Sequence, residues 1–207
     1  ESFLMRDERG EARALGVRET HVPRTLWLSL GPPAVAEDLV RALSRTAEER
    51  GGWPLVISFD NGRANRSDEL ARMLEREKVI ALFNLPHVPQ HNPFAERAFG
   101  DLKCAGGLDG PTARRADPSR GRVCTLEPGV LRTREALYER LCAAWHWLDH
   151  SPRWALGART PAELDEIAQR ADHLVRRDRF YDDARAALAR VAAQEISPRD
   201  RRRAERE

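Results

Sequence analysis

Pro54-Leu55-Val56-Ile57-Ser58-Phe59-Asp60-Asn61-Gly62 is the stretch that decides the fold. Its nearly continuous apolar run reads as a strand of an α/β sheet covered on both faces, because a strand with one wet face alternates apolar with polar residues. The run stops at Asp60-Asn61-Gly62, residues that suit a turn. In α/β sheets the carboxyl ends of strands are also where ligands and metals collect. Asp60 is therefore either a turn residue or a ligand, and a second residue must decide between them.

Upstream of this strand, Val35, Leu39 and Leu43 recur at helical spacing through Glu49, and Gly51-Gly52 ends the helix. Before it lie three short strands: Ser2 to Arg6 and Ala12 to Val17 around a turn at Glu8-Arg9-Gly10, then Thr25 to Leu30. Downstream, Ser67 caps a helix with Asp68 and Glu69 in its first turn and Leu70, Met73 and Leu74 inward, and Val79 to Phe83 supplies another strand. Pro86 to Asn92 reads as a loop and Pro93 as the first turn of the next helix, with Phe94, Ala98 and Leu102 facing the core.

From Gly106 to Gly129 the Gly, Pro and Arg content predicts an irregular connection. Leu137, Leu141, Trp145 and Leu148 then form a helical stripe ending near His150. Helical spacing resumes after Thr160-Pro161 through Leu164, Ile167, Ala171, Leu174 and Val175, and again from Ala184 to Val191. The predicted architecture is α/β, a mixed sheet flanked by helices with a C-terminal helical extension. The expected domains are a core over residues 1–165 with an irregular insertion at about 106–130, a helical extension over 166–196, and a charged disordered tail over 197–207.

Composition narrows the function classes. The 207 residues are 41% hydrophobic and 33% charged, enough apolar material for a core under a heavily charged surface. No run approaches the ~20 apolar residues of a membrane span, and no signal peptide is visible, so a cytoplasmic protein without a membrane partner is expected. Cys104, Cys124 and Cys142 lie in no CxxC spacing and read as free thiols. The net charge of +2 hides basic clusters at Arg114, Arg115, Arg120 and Arg122 and at Arg199 and Arg201 to Arg203. Such clusters attract phosphate, but they also occur as plain solvated surface. Without a GxGxxG or GxxxxGK[ST] loop, no nucleotide cofactor is expected.

Glu96 is the second residue. It follows Asp60 with 35 residues between them, inside Pro89-Gln90-His91-Asn92-Pro93-Phe94-Ala95-Glu96. On a helix of 100° per residue it shares a side with Gly100 and Lys103, away from Phe94, Ala98 and Leu102. A carboxylate and a cation thus line one face, which could lie beside the end of the Asp60 strand.

With these residues in place, the chain resembles the catalytic core of retroviral integrases and insertion-sequence transposases, whose Asp, Asp, Glu triad spaces its last two members in this way. The matching positions are Asp60-Asn61-Gly62 for the second aspartate block, Asn92 and Glu96 for the glutamate block, and Leu102-Lys103 for a helix lysine that contacts DNA. His150-Ser151-Pro152 to Leu156-Gly157 and Thr160-Pro161-Ala162-Glu163 resemble the closing motif of many such transposases. The resemblance covers about residues 1–165. It implies a ribonuclease-H-like fold and DNA transposition or integration by metal-dependent phosphodiester cleavage and strand transfer. Asp60 and Glu96 would be the catalytic metal ligands, and the cofactor would be Mg²⁺ or Mn²⁺ in a two-ion site, with ions about 4 Å apart. DNA would be held by Lys103, Arg97, Asn61, Asn92, Arg114, Arg115, Arg120 and Arg122, and the active form would be a homo-oligomer on DNA.

The sequence departs from the family at the first aspartate. Asp7 lies at the right distance from Asp60 but out of register, and the family's position falls at or just before Glu1. A chain that opens on Glu1 inside a strand-like run is expected to be a piece of something longer, with Asp7 a tentative third ligand. Pro93 also replaces a glycine usual after the family's Asn. The rival expectation is an inactive remnant that binds DNA or a full-length transposase, and a third is a helical interaction module with incidental carboxylates. His87 with His91 and His146 with His150 have the spacing of helical zinc pairs. The first pair lies in a loop, and the second lacks the intervening Glu of HExxH and an evident third ligand, so surface or structural roles are expected. Trp145, Trp147 and Trp154 could stack on bases, although packing accounts for most such residues.

Overall fold

A computed structural model describes residues 2–3, 12–60, 62–84, 93–108, 133–168 and 176–193. The predicted elements at 4–11, the loop 85–92, the insertion over 109–132, the segment 169–175 and the tail lie outside the described residues. The described chain divides into two compact units, residues 1–46 with 93–169 and residues 47–92 with 170–207.

The first unit is built on an antiparallel sheet of β1 (Ser2–Phe3), β2 (Ala12–Glu19) and β3 (Arg24–Gly31), in that order. Ser2 pairs with Arg13 and Phe3 with Ala12, while β2 and β3 run from Arg13↔Gly31 to Glu19↔Arg24 with a register shift between Val17 and Arg18. Helix α3 (Pro93–Ala105) starts at the predicted Pro93, whose missing N–H costs nothing in a first turn. Helix α4 (Arg134–His150) is capped by Thr133, whose hydroxyl accepts from Ala136 N at 3.1 Å.

Ala14 and Leu28 from the sheet, Leu102 and Ala105 from α3, and Leu137, Leu141 and Ala144 from α4 form one buried cluster. The predicted α4 stripe is borne out: Leu137 and Leu141 are buried, and Trp145 and Leu148 pack against the cluster half-buried, joined by Trp147. Gly16 of β2 admits the Phe99 ring, since a Cβ there would lie 3.0 Å from Phe99 Cζ. That close approach seats α3 on the sheet.

The predicted closing motif is a tight structure. Arg153 and Arg159 form an isolated antiparallel bridge, Trp154–Leu156 make a 3₁₀ turn, and Gly157 takes the left-handed conformation at φ 64°. Thr160 and Glu163 then form a reciprocal capping box on α5 (Pro161–Ile167), with Thr160 N donating to Glu163 Oε2 at 2.7 Å and Glu163 N to Thr160 Oγ1 at 3.0 Å. Helix α1 (Ala36–Glu49) buries Leu39, Ala42 and Leu43, while Val35, expected in its stripe, lies exposed before its first turn, and it stops where Gly52 N bonds Ala47 O at 2.8 Å with Gly51 at φ 71°.

The second unit is a βαβ arrangement: β4 (Val56–Phe59), α2 (Asp68–Arg76) and β5 (Ile80–Phe83), with the strands parallel from Val56↔Ile80 to Phe59↔Phe83. Ser67 caps α2 by accepting from Leu70 N at 3.3 Å, and Leu70, Met73 and Leu74 are buried as predicted. Helix α6 (Arg177–Ala193) joins this unit through the buried Tyr181 and through Arg177, which donates to the carbonyls of Trp53 and Pro54. One expectation is corrected: β4 is not covered on both faces. Val56 and Ser58 are exposed while Phe59 is buried, and on β5 Leu82 and Phe83 are exposed. Four consecutive residues of a strand point alternately to two faces, so an apolar run fixes the strand without showing that both faces are covered.

Candidate functional site

Asp60 stands immediately after β4, at its carboxyl end, and is exposed. Its position is held locally. Asp60 Oδ1 accepts from Gly62 N at 2.9 Å and from Asn65 Nδ2, and Asn65 Nδ2 also reaches Asp60 O at 3.3 Å. Gly62 makes this possible, because a Cβ there would sit 3.0 Å from Asp60 Oδ1. Asn65 belongs to the 3₁₀ turn Ala64–Arg66 that connects the strand to Ser67. The turn and ligand readings of Asp60 are thus compatible: Oδ1 organises the turn, and Oδ2 takes no hydrogen bond from the described residues. A carboxylate oxygen exposed on a fixed turn is a hard donor of the kind Mg²⁺ and Mn²⁺ take.

Asn65 is a site residue that the sequence reading missed. Its signal was weak, since an Asn five residues after an Asp in a turn has many ordinary uses. Asn65→Ala removes the side-chain donor that orients Asp60. The expected cost in stability is below about 1 kcal/mol, because the bond is exposed. The measurable consequence is a rise in hydrogen exchange at Gly62 N–H, read by NMR, as the turn loosens.

Glu96 lies in the first turn of α3, in the other unit from Asp60. Of the residues on its helix, Ala98 and Leu102 are buried as the helical wheel required, and Arg97 is exposed, whereas Lys103, which the wheel placed on the exposed face, is half-buried. The side chains of Phe94 and Glu96 lie outside the described residues, as do Asp7, Asn61, Asn92, His87, His91 and the arginines at 114, 115, 120 and 122. Among the described residues no group of three or more His, Cys, Asp or Glu side chains is arranged to hold a metal ion. No helix among them is long and apolar enough to cross a membrane.

The first unit contains a charged cluster that no motif announced. Arg24 of β3 donates from Nε to Asp149 Oδ2 at 2.9 Å and forms an ion pair through its Nη1 with Asp165 Oδ2 at 2.6 Å, while Trp145 Nε1 donates to Asp149 Oδ2 at 3.0 Å. Both carboxylates are almost wholly buried. Burial pushes the Asp149 carboxyl above the usual range against the opposing pull of Arg24 and Trp145. The cluster ties the end of α4 and the body of α5 to the sheet, a structural duty. Nearby Arg18 has its pKa lowered, first by burial and then by the repulsion of Arg153.

In the second unit a cavity of about 400 Å³ opens between α2, β5 and α6, lined by Ser67, Leu74, Val79, Phe83, Tyr181 and Leu188 among others. Arg66 stacks over Phe83 with its guanidinium carbon 4.9 Å from the ring centroid, and Arg185 pairs with Glu75 at 3.1 Å. Asp60 is not part of this lining.

No protein-family model matches the chain, and no curated protein matches it by sequence. Solved structures do match. A chain of the simian T-cell lymphotropic virus intasome, solved by cryo-electron microscopy in complex with the PP2A regulatory subunit B56 gamma, superposes with a TM-score of 0.58 at 16% identity, over 82% of this chain and 53% of that one. This chain therefore spans about half the length of that relative. The HTLV-2 integrase catalytic core domain in complex with magnesium matches in its trimeric form with a TM-score of 0.53 at 15% identity, over 79% of this chain and 89% of that one. The same domain in its dimeric form gives a TM-score of 0.50 at 15% identity, over 78% and 89%. At such identities the likeness speaks for architecture alone, and it agrees with the α/β elements built above: the chain has the ribonuclease-H-like fold of retroviral integrase catalytic cores.

Proposed function

We propose that this chain is the catalytic core of a DNA strand-transfer enzyme, an integrase-core transposase in which Asp60 holds one divalent metal ion and Glu96 a second at the scissile phosphate. The observation that carries the reading is Asp60 itself: an exposed carboxylate at the carboxyl end of a strand, with one oxygen fixed by Gly62 and Asn65 and the other turned to no described partner. The integrase-core architecture supports it, since the HTLV-2 relative with that architecture is in complex with magnesium.

Mg²⁺ or Mn²⁺ bound there would supply Lewis-acid stabilisation of a phosphoryl oxygen and a lowered pKa for an attacking hydroxyl. Asp60 contributes a hard, pre-oriented oxygen, and Glu96 contributes a second from the start of α3. A third carboxylate would come from Asp7 or from a residue upstream of Glu1. Lys103, seven residues along α3 and therefore on the face of Glu96, would hold a DNA phosphate as a point charge, and the exposed Arg97 would add a second contact. The arginines at 114, 115, 120 and 122 would extend the phosphate contacts. The intasome and the trimeric and dimeric forms among the relatives support a working form that is an oligomer on DNA.

The test is Mn²⁺-dependent nicking of a short duplex, by this chain and by a version carrying any residues encoded upstream of Glu1. Cleavage by the first makes Asp7 or Glu1 the third ligand, and cleavage by the second alone makes it an upstream residue. Silence in both overturns the enzymatic reading in favour of a DNA-binding remnant. Independently, Lys103→Ala is expected to weaken duplex binding uniformly across sequences and to reduce the slope of log affinity against log salt by about one. An unchanged slope, measured by fluorescence anisotropy, removes Lys103 from the DNA surface.

A further inference from the structure

His146 and His150 are both exposed on the last two turns of α4, and their rings lie with centroids 4.2 Å apart at 32° to one another. His150 Nδ1 lies 2.8 Å from His146 O. A carbonyl oxygen can only accept, so this bond requires the proton to be on Nδ1 and leaves the Nε2 lone pair of His150 available. Metal-binding histidines are commonly oriented in this way, the second ring nitrogen donating to a backbone carbonyl. The i, i+4 spacing is that of helical zinc pairs but was matched by no third ligand, and the adjacent, tilted rings and the bond that sets the tautomer now favour a ligand role.

We propose that His146 and His150 form a two-imidazole chelate for a borderline divalent ion of the late first row, Zn²⁺ or Cu²⁺, with the remaining coordination positions filled by water. Residues four apart on a helix project side by side. Two nitrogens on one tetrahedral Zn²⁺ at about 2.0 Å lie roughly 3.3 Å apart, within reach of rings already at this separation by side-chain rotation. Imidazole nitrogen selects these ions over Mg²⁺ and Mn²⁺, so this site differs in kind from the oxygen site at Asp60. Cys142, one turn earlier on α4, is a free half-buried thiol whose exchange for serine separates the two-imidazole site from a thiolate–imidazole alternative.

The experiment is calorimetric titration of the full chain with Zn²⁺ alone and with Cu²⁺ alone, for the parent chain, Cys142→Ser, His146→Ala and His150→Ala. Cys142→Ser is expected to leave Zn²⁺ affinity unchanged, while each histidine variant weakens it by about tenfold or more, a loss of about 1.4 kcal/mol per tenfold. Cu²⁺ is expected to bind more tightly than Zn²⁺ at the same two residues. Alanine is favourable in a helix, and an unchanged thermal midpoint without metal would verify that the variants fold. With Zn²⁺ present the parent midpoint rises by mass action, and in the histidine variants it does not. Zn²⁺ affinity unchanged in either histidine variant, or lost in Cys142→Ser, overturns the proposal.

Discussion

Arg24→Ala is expected to lower the unfolding free energy by about 3–5 kcal/mol, the usual cost of removing one partner from a buried ion pair. Asp149 and Asp165 are nearly inaccessible, and Arg24 from β3 is the cation placed between them. Its loss removes an arginine hydrogen bond from each of these buried carboxylates, at the end of α4 and in α5. The effect should depend on pH with a definite sign. Burial already raises the Asp149 carboxyl and Arg24 opposes that rise, so its removal raises the folded pKa further above the unfolded value. A group with a raised folded pKa contributes stability that is present below its unfolded pKa and lost as pH rises through the folded one. The variant is therefore penalised most at neutral pH and regains part of its loss, relative to the parent, as pH falls through that raised carboxyl pKa. Urea melts of both proteins from neutral to mildly acid pH check this. A loss below about 1 kcal/mol, or one that does not change with pH, shows that the carboxylates are hydrated rather than buried around Arg24.

The second large effect belongs to the reaction. Asp60→Asn keeps the shape and the Gly62 and Asn65 contacts while removing the charge proposed to bind a hard cation, so Mn²⁺-dependent nicking is expected to fall by about a thousandfold or more. Folding should be untouched, because Asp60 is exposed and an uncharged amide oxygen still accepts from Gly62 N. Nicking that survives in Asp60→Asn at the parent rate would assign the cleavage to another centre.

Much of the fold was legible because its signals are local. The Ser67 cap, the Gly51-Gly52 stop, the Pro93 start and the Leu137 and Leu141 stripe each rest on the chemistry of a few neighbouring residues, and each stands where it was expected. What could not be read is what depends on partners far along the chain. Arg24 meets Asp149 and Asp165 at separations of 125 and 141 residues, and Arg177 reaches the carbonyl of Pro54 across 123. An arginine in a sequence rich in arginine carries no mark of being the one that is buried. The β4 run misled for a related reason: apolar residues made the strand unmistakable, whereas the exposure of Val56 depends on what packs over that face. At the candidate site, position singled out Asp60, and the Asn65 contact that fixes its carboxylate emerged from the folded turn. Trp154 is 91% exposed while Trp145 and Trp147 pack on the core, a division that composition could not make.

The central proposal is that Asp60 and Glu96 are ligands of one two-ion centre, each holding one divalent ion, and Mn²⁺ binding followed by electron paramagnetic resonance tests it without requiring turnover. The chain, Asp60→Asn and Glu96→Gln are titrated with Mn²⁺, and the free-ion signal reports the amount bound. The account predicts Mn²⁺ binding weakened by about tenfold or more in each single variant and weakened further in the double variant, because each residue holds one ion of the pair. Glu96→Gln binding Mn²⁺ as the parent does, while Asp60→Asn does not, would contradict it and leave Asp60 an isolated surface ligand.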